Sequence, residues 1–147
     1  MSHNKHTGSG DGAHEFSRAI LDEWAMRIRV HDPWIGMPLD DALGTMSSVL
    51  HALEQFALGS GHKPHLRATL VDAAMAHGHF RRRQDCPEEV LLYEYSALRQ
   101  AISASLRRSG LSGDQLADAL DAMDPAVRIA KQASAIGFRE AEVPRSF

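Results

Sequence analysis

The stretch AHGHFRRRQDCPEEVLLYEYSALRQA, Ala76 to Ala101, constrains this chain more than any other, because it sets ionisable side chains into apolar helical faces on either side of a turn. At about 100° per residue, Leu66, Leu70, Ala73, His77 and Phe80 share one narrow sector of a helix over His65 to Arg83, with His77 near its centre. A histidine therefore points at a core. Arg81 follows it by four residues on the same face. Beyond the turn, Leu91, Tyr95, Leu98, Ile102 and Leu106 form the stripe of a second helix from Cys86 to about Arg108, and Glu94 sits beside that stripe. An antiparallel hairpin brings Glu94 toward His77 and Arg81, giving a partly buried charged cluster that survives only if its charges are paired.

Local signals around the hairpin are consistent with two helices. Asp85 with Glu88 three residues on reads as a capping box, which makes Asp85 the N-cap, and Pro87 suits the first turn. Arg107 and Arg108, ahead of Ser109-Gly110, suit a helix C-terminus rather than a phosphate site. His79 lies about 200° round the helix from His77, so the two cannot chelate one metal, and His79 is expected in solvent. Gly78 costs on the order of 1 kcal/mol of helix propensity, which implies close approach by a neighbouring backbone or a local irregularity.

The rest of the chain supplies scaffolding. Phe16, Ile20, Leu21, Trp24, Ala25 and Ile28 recur at helical spacing between His14 and about Val30, and Pro33 ends that helix. The connector DPWIGMP carries Trp34, Ile35 and Met37, which are expected to fold over the core. Leu39, Leu43, Met46, Leu50, Leu53 and Ala57, widened by Val49 and Phe56, predict one amphipathic helix from Leu39 to Leu58, stopped by Gly59 and Gly61. His51 lies off its seam, and His62 and His65 around Pro64 suit a turn. Ser112 with Gln115 opens a helix through Leu116, Leu120 and Met123. Asp124-Pro125 then restarts or kinks it, and a last helix runs to Ile136 before Gly137.

With 147 residues, 44% of them hydrophobic and 24% charged, the chain fits one domain with one core. The expectation is an all-α, single-domain bundle of about six helices. A globin-like layering is among the arrangements open to it, since periodicity does not select crossing angles. Residues 1–13 are expected to form a flexible tail whose His3 and His6, with His14, make no built metal site, 14–138 the helical domain, and 139–147 a frayed tail. A net charge of −3 disfavours nucleic acid, and no apolar run approaches the roughly 20 residues of a membrane helix. Cys86 is the only cysteine and the N-terminus lacks the basic-then-apolar pattern of a secretory signal, so a cytoplasmic location is expected.

His77, Arg81, Glu94-Tyr95 and Arg99, at these spacings, resemble the H-x3-R…E-Y-x3-R pattern of the helical N-terminal sensing domain of bacterial stressosome co-antagonists, found ahead of STAS domains, and of some sensor histidine kinases. ILDEWAMRIR resembles that family's first helix and LADALDAMDPAVRIAKQASAIGFREA its exit helix, so the resemblance spans about Phe16 to Ala141. The chain departs from the family in the turn, where Asp85-Cys86-Pro87 replaces a Gly-aromatic pair, and no STAS or kinase region follows before Phe147. The resemblance implies a haem-free stress-response sensor domain that forms a homodimer and either acts on a separate kinase or STAS-type partner or is a piece of a longer protein.

Three function classes compete on these residues. The first is a non-catalytic signalling domain in which His77, Arg81, Glu94, Tyr95 and Arg99 form a buried polar network. That network locks two helices together or, through a charge change on His77 near neutrality, switches them. The second is a small-ligand or haem sensor using His77 as axial ligand, against which Arg81 and an aromatic content of 6% weigh. The third, an enzyme, lacks a nucleophile beside a base, a metal-ligand set and a phosphate loop, so none is expected, nor any cofactor.

Overall fold

A computed structural model describes residues 16–58 and 64–142. The expected tail 1–13, His14, the loop around His62 and residues 143–147 lie outside them. The described chain is an all-α single domain without a strand. Helix α1, residues 16–28, buries Ile20, Trp24, Ala25 and Ile28. The connector to Pro38 contains a cis Asp32–Pro33 bond; it buries Trp34 and leaves Ile35 exposed.

The helix expected from Leu39 to Leu58 is two helices, α2 (Leu39–Leu43) and α3 (Met46–Leu58). Gly44 breaks them apart at φ +54°, and a Cβ there would come within 2.6 Å of the Phe80 ring. The apolar rhythm continued across the break, so periodicity alone hid it. Leu39, expected in the buried stripe, is exposed, whereas Met46, Val49, Leu50 and Leu53 are core.

Helix α4 (Pro64–Arg83) buries Leu70, Ala74, His77, Gly78 and Arg81. Its end corrects the reading of Asp85. The Asp85 N–H bonds to the Arg82 carbonyl and the Cys86 N–H to the Arg81 carbonyl, with Asp85 at φ +61°. That is a Schellman closure of α4, with Asp85 in the left-handed position usually given to glycine. Helix α5 (Glu88–Arg108) accordingly starts later than Cys86, behind an N-cap Pro87 that offers no side-chain cap, and Glu88 reaches instead to Arg139 of α6 at 2.6 Å. The α5 stripe Leu91, Tyr95, Leu98, Ile102 and Leu106 is buried as expected.

The two helices expected after Ser112 are one, α6 (Gly113–Glu142). Its capping box forms: the Ser112 N–H donates to Gln115 Oε1 at 3.0 Å, and the Gln115 N–H to Ser112 Oγ at 3.4 Å. Pro125 sits inside α6, where Met123, Ala126, Val127 and Ala130 all pack into the core and hold the helix through the hydrogen bond proline forfeits. Gly137 does not end the helix either, and residues 139–142, expected as frayed, continue it. The glycine serves the α4–α6 crossing, the most extensive contact among helices α2 to α6. A Cβ on Gly137 would lie 2.3 Å from the Met75 carbonyl oxygen and one on Gly78 2.1 Å from that of Ser134, the close backbone approach that Gly78 implied.

Candidate functional site

Glu94 is the centre of the site. It has no solvent exposure, and neither do His77 and Arg81. Burying a lone carboxylate costs several kcal/mol, so every lone pair needs a donor. His77 Nε2 donates to Glu94 Oε1 at 2.9 Å, and Arg81 Nε and the Trp34 indole N–H donate to Oε2 at 2.9 and 3.2 Å, joined by Arg81 Nη2. The Trp24 indole donates to the Glu94 backbone carbonyl at 2.9 Å. Both tryptophans of the chain therefore bond to this one residue.

Arg81 is equally saturated. Besides Glu94, it donates through Nη1 to the Asp41 carbonyl at 2.9 Å and to Gln84 Oε1 at 2.8 Å, and through Nη2 to the Ala42 carbonyl. All five guanidinium N–H groups are thus used. Asp41 and Ala42 close α2, so the buried cation satisfies carbonyls that a helix C-terminus leaves open and meets the negative end of its dipole. The network reaches α1 through Trp24, the connector through Trp34, α2 through its carbonyls, and joins α4 to α5.

Burial by itself would raise the Glu94 carboxyl. The charges and hydrogen bonds of His77 and Arg81 outweigh it and hold the carboxyl below its ordinary range. With Glu94 ionised, His77 Nε2 must carry a proton. His77 Nδ1 lies 2.8 Å from Thr45 Oγ1 in the α2–α3 turn. A hydroxyl donates to a neutral imidazole and accepts from an imidazolium, so rotation of Thr45 accommodates either state of His77.

Tyr95 belongs to an adjoining bond chain. The Ser134 hydroxyl donates to the Ala74 carbonyl at 2.7 Å, so Tyr95, 2.6 Å away, donates to Ser134 Oγ. This link ties α5 to the α4–α6 crossing, and the Tyr95 ring meets His77 edge to face at 6.4 Å. Burial pushes the Tyr95 phenol upward. Arg99 does not join the network. It lies on the surface and pairs with Asp124 of α6 at 2.8 Å, one turn of α5 beyond the buried face. His79, expected in solvent, is half-buried with Nε2 unbonded among the described residues.

Sequence reasoning found His77, Arg81, Glu94 and Tyr95 but missed Trp24, Trp34, Thr45 and Ser134. Two signals pointed to them: a tryptophan held between two prolines, and a serine inside the small-residue run AKQASAIG opposite Gly78. Compared with protein-family models, with curated proteins and with solved structures, the chain matches none. No helix among the described residues is long and apolar enough to cross a membrane.

Proposed function

We propose that this chain is a non-catalytic bacterial signalling domain, cytoplasmic and globin-like in layering. It acts through helix-mediated dimerisation and through binding to a separate kinase or STAS-type protein. One observation carries the reading. The five-residue helix α2 has its C-terminal carbonyls fastened to buried Arg81, while Leu39 at its other end is exposed in a groove with Met26 of α1 and Val30 of the turn that follows it. Asp22 and Arg29 flank that groove. An apolar strip rimmed by opposite charges suits another helical face, and a partner pressing on Leu39 would act directly on the carbonyls that Arg81 holds. The resemblance of the His77 to Arg99 pattern to stressosome sensing domains supports the same role.

Light scattering over a range of concentrations tests the dimer. The wild type is expected as a dimer that Met26→Glu with Val30→Glu dissociates, and a monomer at every concentration would overturn that part. A pull-down from bacterial extract then identifies the kinase or STAS-type partner, and recovery of neither class would remove the partner assignment. The competing reading, a haem or small-ligand sensor using His77, requires a free ring nitrogen, and Thr45 and Glu94 occupy both. A Soret band after haem reconstitution would reinstate it.

A further inference from the structure

We propose that the groove between the α1–α2 connector and the first two turns of α5 binds a small organic cation with a methylated ammonium head. The groove is lined by His31, Asp32, Trp34, Glu89, Val90 and Tyr93. Three of these are rings packed on one another: His31 meets Tyr93 edge-on with centroids 5.1 Å apart and planes at 73°, and Trp34 meets Tyr93 at 5.8 Å and 39°. His31 and Tyr93, the two of these rings open to solvent, stand at a steep angle and offer aromatic surface from two directions, with Trp34 buried beneath Tyr93 as their support, which suits a cation without hydrogen-bond donors. Asp32 and Glu89 supply negative charge, and no arginine or lysine among the described residues lines the groove.

Two other grooves among the described residues differ. The one between α5 and α6 is lined by Arg99, Arg128 and Lys131 around Asp124, and the α1–α2 groove carries Arg29 against Asp22. Neither combines rings with an excess of negative charge. The aromatic walls are also held from inside. Trp34 is 1% exposed and anchored by its indole to Glu94, while Tyr93 remains 37% exposed above it. A wall fixed by the core loses little freedom on binding, which favours a weak, rigid ligand. A methylated ammonium fits better than a metal ion, because it is poorly hydrated and needs no inner-sphere oxygen cage. Binding here stands apart from the signalling reading and does not depend on it.

The test is a titration of the full chain with choline, following the ring resonances of Tyr93 and Trp34 by NMR at mildly alkaline pH, where an imidazole is uncharged. The control is 3,3-dimethyl-1-butanol, choline with carbon in place of the charged nitrogen. Saturable shifts at both rings are expected with choline, and binding of the neutral control at least about fivefold weaker. Tyr93→Leu should weaken choline about two- to fivefold, Glu89→Gln and Asp32→Asn should each weaken it, and Tyr93→Phe should bind like the wild type. Tyr93 is partly exposed and outside the core cluster, and an unchanged thermal transition for Tyr93→Leu confirms that the variant is folded. Equal binding of the neutral control, indifference to Tyr93→Leu, or no saturable shift at these rings would each overturn the proposal.

Discussion

Arg81 bonds the Ala42 carbonyl at the end of α2 with the same Nη2 that it extends to the Glu94 carboxylate. One guanidinium thus closes a helix 39 residues upstream and neutralises a carboxylate on the next helix downstream. The arrangement explains how a five-residue helix, too short to stand on local hydrogen bonds, is kept in place. It also makes α2 the element most sensitive to the buried charges.

Glu94→Gln should therefore be costly. The amide keeps the shape but leaves Arg81 uncompensated in the interior and turns an N–H toward donors. Breaking one side of a buried pair costs about 3–5 kcal/mol. Urea denaturation should show the midpoint falling with an unchanged slope, and an unmoved midpoint would mean that the pairing contributes nothing.

Acid should act on the same residue. A carboxyl held below its ordinary value of 4.5 binds fewer protons folded than unfolded. Its contribution is complete above that value and is lost as pH falls from there through the lower folded value. Urea midpoints between about pH 3 and about pH 7 should drop on the acid side for the wild type and more shallowly for Glu94→Gln. Glu54 has the opposite sign. Burial raises its carboxyl despite the Ser17 hydrogen bond, so ionisation opposes folding as pH rises past 4.5, and Glu54→Gln should gain stability near neutrality. A wild type whose acid-side loss matches that of Glu94→Gln would contradict the assignment.

The α4–α6 crossing gives a steric prediction. Gly78→Ala or Gly137→Ala pushes a methyl against backbone that cannot swing aside, at 2.1 and 2.3 Å, and should cost at least about 1–3 kcal/mol. Gly113, at the start of α6, has open space around its missing Cβ. Gly113→Ala should be neutral or stabilising by up to about 1 kcal/mol. Thermal unfolding of the three variants separates crowding from propensity, and equal effects would remove the crowding argument.

What was legible in the sequence follows the same physics. Side-chain periodicity marks which face of a helix is buried, so His77, Arg81, Glu94, Tyr95 and the α5 stripe could be read directly. It does not mark where a helix stops when the apolar rhythm continues past the stop. Gly44 was invisible for that reason, and Gly137 was misread as an end and Pro125 as the start of a new helix, because local rules ignore the packing that carries α6 through them. Arg99 was drawn into the network by spacing, yet it lies one turn from Tyr95 on a sector that faces Asp124 and solvent. The tryptophan donors come from elements distant in sequence, and only the folded chain brings them to Glu94.

That difference between Arg81 and Arg99 can be measured. Arg99 has its pKa raised by the Asp124 hydrogen bond but stands in solvent, where screening leaves such a pair about 0–1 kcal/mol. Arg99→Ala should barely move the urea midpoint, and less still in high salt. Arg81→Met strands Glu94 and opens the α2 carbonyls, and should cost about 3–5 kcal/mol at any salt concentration. Comparable losses for the two variants would show that the buried network has no special weight.

The Asp85 turn offers a stabilising change. Asp85 holds φ +61° with 94% of its side chain exposed, and no capping role for its carboxylate is seen at α5. Left-handed geometry costs a residue with a Cβ about 1 kcal/mol, and glycine adopts it freely at this position of a Schellman closure. The long Arg82–Asp85 contact at 3.9 Å is a surface pair and offsets little of that. Asp85→Gly should therefore raise the melting temperature, because relief of the strained φ exceeds the extra freedom glycine gives the unfolded chain. If Asp85 were instead the N-cap of α5, removing its carboxylate would lower the melting temperature, so the direction of the shift alone decides which helix this residue serves.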